Sequence, residues 1–105
     1  MAGEQLPRDS IADRNDAFRR TCVPFLTQGA FYLPDVDLVI RAVREYDDFD
    51  SGNDPYKEHD FGAFDWAGER VYWKIDYTDP ETGYWRDPMD EECQRVMTVM
   101  LSSEY

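Results

Sequence analysis

The strongest constraint on this chain is an alternation over Arg70–Tyr77. Val71, Trp73, Ile75 and Tyr77 share one parity, while Arg70, Tyr72, Lys74 and Asp76 occupy the other. A period of two places each set on its own side of an extended strand, so one face is built for burial and the other is mixed. Just upstream, Phe61–Trp66 is short and rich in aromatics, and Ala67-Gly68 supplies a compact turn between the two runs. The sequence therefore predicts an antiparallel hairpin, about 61–66 with 70–77, whose apolar face needs a cover.

Helices are the expected cover. Ser10 followed by Asp13 resembles a capping box, and Ile11, Phe18 and Cys22 form a narrow apolar stripe, with Arg14, Arg19 and Arg20 placed off it. Pro24 ends this helix by Val23. A short edge strand around Phe25–Thr27 and a turn at Gln28-Gly29 follow. A second helix opens at Pro34 and Asp35, carries Val36, Val39, Ile40 and Val43 on its apolar face, and stops at Asp47-Asp48. Asp50–Pro55 and residues 78–86 read as loops. Asp87 and Pro88 have the form of a third helix start, with Met89, Cys93, Val96, Met97 and Met100 at i, i+4, i+7, i+8 and i+11. The expected architecture is α+β: three helices packed on a small antiparallel sheet centred on the hairpin. It forms one acidic domain over residues 9–105, preceded by a flexible N-terminal arm over residues 1–8.

Length supports one core, because 105 residues is an ordinary size for a single domain. Six Phe, seven Tyr and three Trp make that core aromatic-heavy. No apolar run approaches the roughly 18 residues of a membrane span, and no basic-then-apolar leader opens the chain. Cys22 and Cys93 fall on apolar helix faces and are expected as buried free thiols. A cytoplasmic location follows.

Charge is distributed unevenly. Residues 1–44 contain six acids and six bases, so residues 45–105 carry the entire net charge of −12. Such a field disfavours direct nucleic-acid contact and anionic membranes, and favours a basic protein partner or a cation.

Several motifs carry a family resemblance. Asn15-Asp16-Ala17-Phe18-Arg19, Asn53-Asp54-Pro55, Glu58-His59-Asp60-Phe61-Gly62, Trp73-Lys74-Ile75-Asp76-Tyr77 and the ending Met100-Leu101-Ser102-Ser103-Glu104-Tyr105 are similar to a bacterial and phage family. It is known as domain of unknown function 3768. The resemblance runs from about Ile11 to Tyr105 and implies one compact domain, with no reaction, cofactor or partner attached.

Groups suited to chemistry converge at Asp54–Asp60. His59 is the candidate general base, with Asp60, Asp76 and Lys74 as candidate catalytic companions. If Glu58-His59-Asp60 is extended, its two acids point away from the histidine, which makes Asp76 the expected orienting group. Asp50, Asp54, Glu58 and Asp60 are weak candidates for an irregular calcium or magnesium site. The EF-hand spacing fails, because counting from Asp48 puts Gly52 at position 5, Asn53 at 6 and His59 at 12. The same loop also has an architectural reading. In it, Asp54 caps a turn, His59 ties the loop to a strand, Lys74 pairs with Asp60 or Asp76, and Gly62 admits an aromatic ring from the neighbouring strand.

The leading functional expectation is a non-catalytic protein–protein interaction protein. Its specific form is an acidic decoy that imitates nucleic-acid phosphates in the basic channel of a nuclease or regulator. Asp50, Asp54, Glu58, Tyr72, Tyr84 and Trp85 are the candidate binding residues. The alternative is a small metal-dependent or histidine-based hydrolase using the Asp54–Asp60 loop. Oligomeric state is open.

Overall fold

The hairpin forms with the register its alternation requires. In the structure, a computed structural model that describes residues 9–105, β2 (Phe61–Trp66) pairs antiparallel with β3 (Glu69–Thr78), from Phe61 opposite Lys74 to Trp66 opposite Glu69. Ala67 and Gly68 make the two-residue turn with φ of 52° and 82°. Positive φ at both central residues matches the right-handed twist of the flanking strands. Val71, Trp73 and Ile75 are buried, as the parity predicts. The arm expected at residues 1–8 lies outside the described residues.

The other elements are α1 (Ile11–Thr21), β1 (Phe25–Leu26), α2 (Gln28–Phe31), α3 (Val36–Arg44), β4 (Gln94–Leu101) and a closing 3-10 turn over Ser102–Glu104. The sheet order is β1-β4-β3-β2, with β4 antiparallel to β3 and β1 parallel to β4. The fold is thus α+β with a mixed sheet, where an antiparallel one was expected. The core joins Ala30, Leu33, Val39 and Val43 from the helical side to Val71, Trp73, Ile75, Met97 and Val99 of the sheet. Full burial of each such valine contributes roughly 1.5–3 kcal/mol.

Two expectations are corrected. The run after Asp87-Pro88 is a strand at the centre of the sheet, so the third expected helix is replaced by β4. Met97 and Val99 face the helices while Met100 is buried on the opposite side. Burial on both faces erases the two-residue period, and a short apolar run then reads equally well as a helix stripe. Asp87 still caps, but it caps a turn, its carboxylate accepting from the Met89 N–H at 2.8 Å. The third helix that the fold does contain is α2, where a turn was expected at Gln28-Gly29.

The second correction concerns α1. Its capping box is formed, with Ser10 Oγ accepting from the Asp13 N–H and Asp13 accepting from the Ser10 N–H. Its buried residues, however, are polar: Asn15 is 0% exposed and Arg19 only 1%. Phe18 and Cys22 pack on the core beside them. Both thiols are free and half-buried, Cys22 at the end of α1 and Cys93 just before β4 rather than on a helix. Burial pushes the Cys22 thiol up.

Glu104 pins the carboxyl-terminal turn to the segment just after β1, the edge strand beside β4. It accepts from the Leu101 N–H, Thr27 Oγ1 and the Gly29 N–H at 2.6–2.9 Å. No helix among the described residues is long and apolar enough to cross a membrane.

Gly62 lies directly opposite Trp73, and a Cβ there would come within 2.3 Å of the indole Nε1. Trp73 is fully buried and has no room to retreat. Gly62→Ala is therefore expected to cost about 1–3 kcal/mol or more through overpacking, read as a fall in the urea midpoint. An unchanged midpoint contradicts this packing.

Candidate functional site around His59

The chain leaves α3 and runs through turns to β2, and this connection carries the acidic loop. Asp50 Oδ1 accepts from the Gly52 and Asn53 N–H groups at 2.8 and 2.9 Å, closing the first turn. Asp54, 6% exposed, closes the second by accepting from the Glu58 and His59 N–H groups at 3.0 and 3.2 Å. Lys57 and His59 both sit in the left-handed region, with φ of 56° and 57°. Such a conformation costs a non-glycine residue roughly 1–2 kcal/mol. The paired bonds to the buried Asp54 carboxylate offset that cost.

Left-handed backbone at His59 takes it out of the strand and turns its ring towards α1. Nδ1 lies 3.0 and 3.1 Å from the two oxygens of Asp16, and Nε2 faces Asp54 Oδ2 at 3.6 Å. Phe49 stacks on the ring at 3.9 Å, nearly parallel. Asp16 is held in turn by Arg19 Nη1 at 2.9 Å. The buried guanidinium also donates to the carbonyls of Val43 and Tyr46, at 3.0 and 2.9 Å, and lies over the rings of Trp73 and Phe49.

A second network fastens the same loop. Asn15 Nδ2 donates to the Glu58 carbonyl and to Tyr77 Oη, both at 2.8 Å. Tyr77 Oη donates to Glu58 Oε1 at 2.7 Å, and Arg95 Nε donates to Asn15 Oδ1 at 2.6 Å. Burial pushes the Tyr77 hydroxyl up, so it stays protonated and serves as a donor throughout the neutral range.

The candidates named from sequence therefore separate. His59, Asp54 and Glu58 join these networks. The expected orienting group, Asp76, instead pairs with Lys74 at 3.0 Å, and the carboxylate on His59 Nδ1 is Asp16. Asp60, Lys74, Asp76 and Trp85 line a separate cleft. Tyr72 lies on the open sheet face against Phe61 and Tyr105, and Tyr84 is exposed in the turn after β3. Among the described residues, no group of three His, Cys, Asp or Glu side chains is placed to hold a metal ion. The calcium or magnesium candidates are thus not gathered into one site.

Sequence reading gave no role to Asn15, Asp16, Phe49 or Arg95, and set Arg19 off the buried stripe as a first-helix counter-charge for the acids. A signal for two of them was present: Asn15, Phe18, Arg19 and Cys22 recur at i, i+3, i+4 and i+7. Asn15 and Arg19 therefore share the apolar stripe.

Chemically, the arrangement immobilises His59. Asp16 sits on Nδ1, Asp54 Oδ2 lies 3.6 Å from Nε2 and Phe49 covers one ring face, while the partly exposed ring lines two open clefts, one beside Asp50 and Asp54 and one beside Asp9 and Asp13. Asp60 differs. Its carboxylate is half-buried and makes no ion pair among the described residues; burial, followed by the charges of Glu58, Asp54 and Asp76, pushes it up against the opposing pull of its own backbone N–H.

A raised carboxyl has a definite consequence for stability. Below the ordinary value near 3.9 the group is neutral in folded and unfolded chains alike. Above its folded value it is ionised in both, and the fold bears the cost. Asp60→Asn is therefore expected to stabilise the protein at pH 7, with the gain fading as pH falls towards about 4. Denaturation at several pH values checks this; equal or lower stability of the variant at pH 7 contradicts it.

No match is found among curated proteins or solved structures. A family model described as "Protein of unknown function (DUF3768)" matches residues 26–104, from β1 through the closing turn. Helix α1, which supplies Asn15, Asp16 and Arg19, precedes the matched segment. Since the match spans most of the chain, this protein belongs to the DUF3768 family.

Proposed function

We propose that this protein is a non-catalytic binding protein whose acidic later part receives a basic protein partner. The observation that carries the reading is the division of labour in the α3–β2 connection. There His59, Asp54 and Glu58 are bonded internally, while Asp47, Asp48 and Asp50 are exposed and have no Lys or Arg within ion-pair distance among the described residues. Elsewhere part of the acidity is paired: Arg70 lies against Asp65, Lys74 against Asp76, and Arg86 is shared by Asp79, Asp90 and Glu92. Residues 45–60 contain seven acids and one base, half of the net −12 within sixteen residues, so this connection carries a dense local field. It accelerates encounter with a positive surface and suppresses contact with nucleic acid.

Aromatic groups supply candidate anchors. Tyr56, Tyr84 and Trp85 are 83%, 78% and 71% exposed. Such side chains give an interface contact area at low entropic cost. The finer form of the proposal is that the acids occupy the nucleic-acid channel of a nuclease or regulator. Free, half-buried thiols at Cys22 and Cys93 fit the reducing setting of the cytoplasm.

The test is capture from extract of the source cells at low and high salt, beside the variant Asp47→Asn/Asp48→Asn/Asp50→Asn. The expected result is retention of a basic protein that salt releases, that the variant binds weakly, and that duplex DNA displaces. Capture indifferent to salt and to the triple substitution overturns the proposal.

A further inference from the structure

On its β2 side, β3 outruns its partner. β2 stops with Phe61 opposite Lys74, and Asp60 adds one more bond, its carbonyl accepting from the Ile75 N–H at 2.8 Å. Further along, a different segment fills the same lane. Trp85 bridges Thr78, the Arg86 N–H donates to the Tyr77 carbonyl at 3.3 Å, and the Asp79 N–H donates to the Tyr84 carbonyl at 2.7 Å. Between the two segments lies an open cleft of about 650 Å³, lined by Asp60, Lys74, Asp76, Tyr77, Thr78 and Trp85 among others. Antiparallel alternation turns the Ile75 carbonyl and the Tyr77 N–H towards this gap.

The cleft has three properties that together select a ligand. Its Asp60 carboxylate is half-buried and has no Lys or Arg partner among the described residues, with Glu58, Asp54 and Asp76 as the charges acting on it. Its lysine is already engaged, because Lys74 Nζ lies 3.0 Å from Asp76. Its rim carries the indole of Trp85, 71% exposed. A carboxylate beside an aromatic face suits an organic cation, since the ring quadrupole and the anion attract the same charge.

We propose that this cleft receives an arginine side chain from an extended basic segment of a partner protein, with the guanidinium bonded to Asp60 and resting against Trp85. The proposal rests on the reading of the acidic part as a receiver of basic partners, and names where one side chain enters. Arginine suits the cleft better than lysine because its planar, weakly hydrated head stacks on rings and bonds carboxylates in pairs. The backbone of an extended segment would find an acceptor at Ile75 and a donor at Tyr77.

The test is an NMR titration of the full chain with a short capped arginine peptide, its citrulline counterpart and a lysine peptide. The arginine peptide is expected to shift the Trp85 indole N–H and the amides of Asp60, Ile75 and Tyr77, and citrulline to shift none of them. Asp60→Asn and Trp85→Ala, each verified as folded by its own spectrum, should weaken binding, the first by about tenfold or more, as for loss of one charge-assisted pair. Absence of binding, equal response to citrulline, or full affinity in Asp60→Asn overturns the cleft; equal affinity for the lysine peptide overturns the choice of arginine. Shifts confined to Asp47–Asp50 also overturn it while leaving the acidic-surface reading standing. Failed capture from extract, with the peptide still seated at Trp85, does the reverse.

Discussion

Arg19 brings a guanidinium into the interior between α1, the end of α3 and the ring of Trp73. Removing a charge from water costs several kcal/mol unless it is paired and fully hydrogen-bonded. Here each nitrogen of the group has a partner: Asp16 on Nη1, the Val43 carbonyl on Nε and the Tyr46 carbonyl on Nη2. The two carbonyls belong to the carboxyl-terminal end of α3 and the residues just beyond it, where helix carbonyls lack intrahelical donors and the helix dipole is negative. One side chain thereby satisfies the end of one helix, fixes its distance from another, and orients Asp16.

The acidic loop inherits its shape from that placement. Asp16, held by Arg19, receives His59, while Asn15 one position earlier receives the Glu58 carbonyl. Adjacent residues of α1 thus grip adjacent residues of the loop. Asp54 supports the same two residues from below through their N–H groups. Two left-handed residues within three positions are tolerable only because the bonding is so dense. Asp60, next in the chain, takes no part in these side-chain networks, and there the loop gives way to an open cleft.

How much of this was legible follows from how each element meets solvent. The hairpin has one covered face and one mixed face, so its period of two survives in the residues from Arg70 to Tyr77. β4 lies between β1 and β3 and is buried on both sides at Met97, Val99 and Met100, so it shows no such period and imitates a helix stripe. α1 was legible in its cap and length, but its buried positions are Asn15 and Arg19. A polar residue on a helix defaults to the surface, and only partners distant in sequence overturn that default. Val43, Glu58, Tyr77 and Arg95 lie 24 to 80 residues away. The clustering of Asp54, Glu58 and His59 was visible, whereas the carboxylate on His59 Nδ1 was not, because Asp16 is 43 residues distant and the left-handed turn at His59 has no sequence signature.

The functional reading depends on the loop being a fixed part of the fold, with its acids displayed from a rigid base rather than from a moving lid. Native-state hydrogen exchange at the Glu58 and His59 amides addresses this directly, since both donate to Asp54 within the network that Arg19 anchors. The account predicts protection of these two amides comparable to that of α1, with Arg19→Ala lowering both together. Exchange at Glu58 and His59 as fast as in the exposed turn from Pro80 to Trp85, with α1 still protected, would contradict it.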